Sequence, residues 1–246
     1  MTFSNDVLER RRWKPELYDN LVNNSILNRL APIIIPDTLT LDVGGNTGYQ
    51  AYWHSQYNDV ITYEPIPELY EILQENMDMM GAKNIEFVNA AVGDTRCQIK
   101  LFADVNRLYM TSQMPLVDNV KEILVPMIKL DDGAYDKDIG FIKIDVEGYE
   151  MNVVTGSCDI MQLYHPHYMV EIYKPWCDKI TPAKEYFEVF TANGYRTYYF
   201  NGMTKNFIQC DSIEQSVHAV EHYHNLHDGD FLFVHKDKKG PFDVSY

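Results

Sequence analysis

From Leu39 onward the chain alternates short apolar runs with amphipathic stretches: TLTLDV then GYQAYWHSQY, VITYE then PELYEILQENMDMM, and after these NIEFVNAAV. That alternation predicts βαβ units and a parallel sheet, because the short runs suit strands and the longer stretches carry helical spacing. A less regular section follows, with QIKLFA and ILVPMIKL as candidate strands, before FIKIDV resumes the sheet. A short helix is expected around Tyr149 to Gly156, then HYMVEIY as a strand and PAKEYFEVFTANGY as a helix stopped at Gly194. RTYYF, a helix near Ser212 to His224, and the strand DFLFVH complete the pattern. Ahead of it, residues 5 to 31 have helix-like spacing interrupted at Pro15. The expected organisation is an N-terminal helical cap over residues 1–36 and one α/β domain over 37–246, without repeats or a linker.

Composition narrows the function classes. An apolar fraction of 46% over 246 residues supplies a sizeable core. Twenty-one basic against 36 acidic side chains give a net charge of -15, which repels a phosphate backbone and argues against a nucleic-acid partner. Cys97, Cys158, Cys177 and Cys210 contain no C-x-x-C pair and are expected as reduced, mostly buried thiols. The start of the chain lacks an apolar signal region, and no window approaches the ~18 apolar residues of a membrane span, so a soluble cytoplasmic protein with no membrane partner is expected. No feature specifies an oligomeric state.

Between the first strand and first helix lies LDVGGNTGYQ, where Asp42, Gly44, Gly45, Asn46 and Gly48 form a tight turn. Such a turn needs glycine, or Asn, to tolerate positive φ and let a ligand approach the backbone, although an empty βα connection can look the same. Glu64 ends the next strand twenty residues after Gly44, where an acidic side chain reaches the two hydroxyls of a ribose in a doubly wound fold. A nucleoside-containing ligand is therefore favoured. The loop reads D-x-G-x-N-x-G, which departs from the G-x-G-x-x-G of dinucleotide sites. The carboxylate of Asp42 would repel a pyrophosphate but suits a ligand carrying an ammonium and a sulfonium group. This charge logic points to S-adenosylmethionine as cofactor.

In chain order, LDVGGNTG, YEP, NIEFVNAAVGD, LDD at 130–132, FIKIDVEGYE and HYMVEIY resemble the FkbM family of S-adenosylmethionine-dependent methyltransferases, over roughly residues 39 to 175. The resemblance implies the class I, Rossmann-like α/β fold, a seven-stranded and mostly parallel sheet with an antiparallel final strand. It further implies that Asp42, Gly44, Gly45, Asn46 and Gly48 form the first cofactor loop. Glu64, followed by Pro65, would hold the ribose, and Ala91 would lie beside adenine where many methyltransferases carry an acid.

FIKIDVEGYE places carboxylates at the mouth of an apolar strand. Strand alternation puts Lys143, Asp145 and Glu147 on one side, and a buried lysine needs a carboxylate to neutralise it. Asp145 is the first candidate for a base or acceptor-orienting group. Glu147 is the second, with the alternative role of a helix N-terminal carboxylate. Glu171, ending HYMVE, and Asp145 would together suit a divalent ion with oxygen ligands. That option is not favoured, because Ile172 rather than an amide follows and His165 and His167 fall at the far end of the strand; no metal site is assigned. The expected function is O-methylation of a small molecule or saccharide. The alternatives are a nicotinamide- or nucleotide-sugar-binding oxidoreductase and a non-catalytic cofactor-binding domain.

Overall fold

The computed structural model describes residues 8–9, 11–13, 26–104, 111–112, 118, 120–222 and 229–241. Most of the expected helical stretch over 5–31 lies outside them. Its last part forms α1 (Leu27–Leu30) and a 3-10 turn (Ala31–Ile33), which lead into β1 (Leu39–Val43). Then come α2 (Tyr49–Ser55), β2 (Asp59–Tyr63), α3 (Pro67–Met80) and β3 (Ile85–Val88). The helix α3 begins with Pro at its first position and ends at Gly81 in the left-handed region, the two stops its sequence signals.

A second sheet interrupts the alternation: β4 (Ala91–Val92), β5 (Cys97–Asp104), β6 (Thr111–Ser112) and β7 (Val120–Ile128). The chain returns through β8 (Ile139–Ile144), α4 (Glu150–Thr155), α5 (Cys158–Tyr164) and β9 (His167–Glu171). It closes with α6 (Lys174–Cys177), α7 (Ala183–Ala192), β10 (Tyr195–Asn201), β11 (Asn206–Cys210), α8 (Ile213–His222) and β12 (Asp230–His235). The main sheet runs β11-β10-β12-β9-β8-β1-β2-β3 and the small one β4-β7-β5-β6. Pairing is parallel from β3 through β9, and β12 runs antiparallel between β9 and β10.

The main sheet has one strand more than the seven expected, β11, and β6, α5 and α6 are further additions to the expected elements. NIEFVNAAV is two strands rather than one, because the chain turns at Asn89: β3 pairs with β2, while β4 joins β7 of the small sheet. The amide of Asn89 pins that turn by donating to the carbonyls of Glu64 (2.8 Å) and Pro65 (3.3 Å).

Period-2 alternation divides the main sheet into two buried faces. Leu41, Val43, Ile142, Ile144, Val170 and Phe233 pack against α4, α5, α7 and α8. On the other face Phe141, Met169, Tyr198 and Val234 meet Trp53 of α2 and Ile26, Leu27, Leu30 and Ile33. Residues 26–33 therefore close the sheet's second face as core. A third cluster joins Ile66 and Leu69, at the start of α3, to Leu101 and Ile123 of the small sheet. The cysteines depart from the expectation of burial: Cys97 and Cys158 are exposed and Cys177 and Cys210 half-buried. They sit at element ends or beside loops, outside both strand interiors that form the core. Among the described residues no helix is long and apolar enough to cross a membrane.

Candidate active site

The crossovers from β1 run to β2 on one side, while β8 takes the place on the other. At such a reversal the two following loops part and leave a crevice at the strands' C-terminal ends. The loop after β1 meets the loop after β8 at Gly44, whose φ is +87° and where a Cβ would lie 1.9 Å from the carbonyl oxygen of Asp145. Only glycine fits there. Asn46 adopts φ 50°, and its N–H donates to Glu64 Oε2 at 2.8 Å. Glu64 Oε1 accepts from Ile66 N–H, also at 2.8 Å, so one carboxylate joins the glycine loop to the turn into α3. Burial pushes the Glu64 carboxyl up to about 7 against the pull of those amides. Each of its oxygens has a further lone pair for a ligand hydroxyl.

Below the loop lies an ion cluster. Lys143 Nζ donates to Gly44 O at 2.7 Å and stands 3.4 Å from Asp42 Oδ1 and 3.6 Å from Asp145 Oδ2. Burial opposes its charge, yet Asp145 and Asp42 hold its pKa above the ordinary lysine value. Asp42 is fully buried and accepts from the Thr62 hydroxyl at 2.8 Å. Asp42 and Lys143 thus support the loop from beneath, and Asp145 extends the cluster to the surface.

Beyond Asp145 strand alternation fails. Glu147 and Gly148 both have positive φ, 57° and 101°, and this turn re-aims the Glu147 side chain. The helix N-terminal role considered for Glu147 falls to Glu150, whose Oε1 accepts from Val146 N–H (3.1 Å) and Gly148 N–H (3.0 Å). Glu147 instead accepts from Trp176 Nε1 at 3.2 Å. Burial, and then the neighbouring Asp145, push Glu147 to about 7. Glu171 is pushed well above the carboxylate range by burial and by Asp145 and Glu147.

One cavity of about 460 Å³ gathers these groups. Gly44, Asn46, Glu64, Pro65 and Ala91 line it together with Asp145, Glu147 and Glu171. Asp42, Gly45, Gly48 and Lys143 do not reach its wall. Arg11, Ile66, Leu69, Leu101 and Tyr149 do, and sequence reasoning did not single them out. Ile66 and Leu69 follow Glu64 closely enough to have been found by extending the motif. Tyr149 likewise lies in FIKIDVEGYE, two residues past Glu147, whereas Arg11 and Leu101 arrive from distant segments and left no local signal.

A family model described as Methyltransferase FkbM domain matches residues 42–197, well over half of the chain. The chain belongs to the FkbM methyltransferase family. A fungal relative, "Methyltransferase 1" of Beauveria bassiana, is 26% identical to this FkbM domain over 148 residues, which is 50% of the chain and 59% of the relative. The crystal structure of Methyltransferase FkbM from Methylobacillus flagellatus KT superposes with a TM-score of 0.52 at 14% identity, covering 93% of this chain and 57% of that one. The chain thus spans somewhat under two thirds of the length of both. The likeness to the solved structure concerns the fold, a class I methyltransferase sheet.

The donor of this fold class, S-adenosylmethionine, fits the residues present in the FkbM domain. Asn46 lines the cavity, and its buried Oδ1 has no hydrogen-bond partner among the described residues, an orphaned acceptor beside the wall. Gly44 brings bare backbone to the same wall. As for a divalent ion, the group of three described His, Cys, Asp or Glu residues whose ligand atoms lie within 4.8 Å of one another is His165, His235 and Asp237, away from this cavity.

Proposed function

We propose that this chain transfers a methyl group from S-adenosylmethionine to a hydroxyl of a small molecule or saccharide. The main support is that the glycine loop and Glu64 face the same cavity as Asp145, Glu147 and Glu171. Donor and acceptor chemistry are then within reach of each other. When bound, the donor supplies a methyl group made electrophilic by its sulfonium.

The chain's own residues bind, align and move a proton. Loop backbone at Gly44 and the Asn46 side chain hold the donor's amino-acid half, Glu64 takes the ribose hydroxyls, and Ala91 with Ile66 offers apolar surface to adenine. Holding the acceptor oxygen in line with the methyl group while excluding water accounts for much of the acceleration in such a displacement. The acceptor hydroxyl also has to lose its proton. Asp145, fixed by Lys143, orients that hydroxyl, and Glu147, with a pKa near neutrality, takes the proton. Glu171, kept protonated by burial and by its acidic neighbours, donates a hydrogen bond to a second oxygen of the acceptor. Several oxygen partners in one wall suit a polyhydroxylated acceptor, and the net charge of -15 turns away a nucleic acid.

The test pairs donor binding with turnover. Calorimetry should show S-adenosylhomocysteine binding, and labelled donor with a panel of hydroxylated acceptors should yield a methyl ether. Glu147→Gln should then lower kcat by about 100-fold or more with donor affinity retained, the size of a lost general base. A folded protein that binds neither donor nor product would sink the proposal. Binding without turnover of any acceptor would favour a non-catalytic cofactor-binding domain.

A further inference from the structure

Residues 8, 9 and 11–13 lie outside the 42–197 span of the family match, yet Arg11 among them lines the cavity. Contacts with α3 hold this segment there. Its apolar stripe, Leu69, Ile72, Leu73 and Met77, also contains Asn76, a polar side chain that is only 1% exposed. A buried amide at a core position needs partners, and Asn76 finds them in two separate segments. Its Oδ1 accepts from Trp13 N–H at 2.9 Å, and its Nδ2 donates to Thr47 O at 2.9 Å and Arg11 O at 3.3 Å. Thr47 is the residue between Asn46 and Gly48 of the glycine loop. One side chain therefore ties the early segment to that loop.

The flanking contacts fix the same placement. Arg12 pairs with Glu75 of α3 through Nε–Oε2 at 2.8 Å and Nη2–Oε1 at 3.3 Å. Trp13 sets its ring edge-on to Tyr49 and Tyr52, at centroid distances of 6.1 and 6.2 Å. Leu8 packs on the cluster that contains Ile66, Leu69 and Leu101. Between Leu8 and Trp13, Arg11 comes to the cavity wall beside those apolar residues and Glu64.

We propose that Arg11 is a donor-binding residue, with its planar guanidinium against the adenosine half of the ligand, and that Asn76 is the positioning residue that holds it there. The inference rests on the donor proposed above. Guanidinium is suited to the task because it stacks on flat π systems and donates from a rigid fork, while Ile66 and Leu69 supply the apolar surroundings. The carboxylates Asp145, Glu147 and Glu171 belong to the acceptor side of the same cavity. Arg11 gives the nucleoside a cationic neighbour in that cavity.

Calorimetry on the full chain with S-adenosylmethionine, S-adenosylhomocysteine and adenosine tests the assignment. Arg11→Ala should weaken all three by a similar factor, about ten-fold, since they share only the adenosine half. Unchanged affinity, or a loss confined to the two ligands with an amino-acid half, overturns it. Asn76→Ala should reproduce the loss with the melting transition still cooperative. Should that variant not fold, trypsin gives an independent reading on the wild type, because the run Arg10-Arg11-Arg12 is a cleavage site. Saturating S-adenosylhomocysteine should slow cleavage at that run about five-fold or more, and an unchanged rate overturns the proposal. Failure of the wild type to bind any of the three sinks the donor reading and this inference with it; tight binding that is indifferent to Arg11 sinks this inference alone.

Discussion

Lys143 is the residue on which the loop geometry depends most. It sits in a central strand, 3% exposed, with Asp42 on one side and Asp145 on the other, and its ammonium also holds the carbonyl of Gly44. Removing it would leave Asp42 charged, buried and without a cation. Breaking a buried pair from one side costs about 3–5 kcal/mol, much more than the pair itself contributes relative to two neutral groups. Lys143→Met should therefore destabilise the fold by that amount in chemical denaturation. The double variant Asp42→Asn with Lys143→Met should regain most of the loss, since the stranded charge is gone. If single and double variants were equally destabilised, the lysine would be acting through packing, not through charge.

At the level of elements, what the sequence makes visible is what is encoded locally. The strands β1, β8 and β12 read directly from apolar runs, α3 from its Pro and Gly stops, and the turn at Gly44 to Gly48 from residues that tolerate positive φ. Asn46, Glu64 and Asp145 followed from their places at strand ends. The helix α5 was missed because its start signal is remote. Ser157 makes no side-chain cap, and the carboxylate that accepts from Asp159 N–H and Ile160 N–H, both at 3.1 Å, belongs to Asp131. The strand β11 was missed for another reason: at the sheet edge only Phe207 is buried, so NFIQC carries no apolar alternation. Arg11 and Leu101 reach the cavity from separate segments, which no local pattern reports. Asp131 also gives the LDD stretch a physical task. Asp131→Ala should cost about 1 kcal/mol, as loss of a helix cap does, and lower the melting midpoint by about 2–4 °C. Amide exchange at Asp159 and Ile160 should quicken in step. A melting midpoint and exchange rates equal to wild type would show that the cap contributes nothing.

Over the whole molecule, buried titratable groups set how stability follows pH. Burial raises Glu64, Glu147 and Glu150 from an ordinary 4.5 to about 7, and Glu171 further. A carboxyl with a raised folded pKa keeps a proton that the unfolded chain has released. Its stabilisation is complete below 4.5 and is lost as the pH rises through the folded value. Two buried imidazoles act in the other direction: burial lowers His54 to about 3 and His167 to about 4 from 6.5, so the unfolded chain gains protons first on acidification. Between 4.5 and 6.5 the carboxyls and imidazoles oppose each other, and above 6.5 only the carboxyls act. Self-repulsion from the net charge of -15 adds to the loss on the alkaline side. The thermal midpoint should accordingly fall gently near pH 5, most steeply between about pH 6 and about pH 7, and less steeply again toward about pH 8, where Glu64, Glu147 and Glu150 are ionised in both states. Glu150→Gln keeps an oxygen for the amides of Val146 and Gly148 but cannot ionise, so it should flatten the steep part and gain on wild type as the pH rises. A wild-type midpoint that is level or rising from about pH 6 to about pH 7, or a slope that Glu150→Gln leaves unaltered, would mean that these carboxyls are already charged in the folded protein. The acidic wall would then bind its acceptor as a set of anions, and a cationic acceptor would displace the polyhydroxylated one.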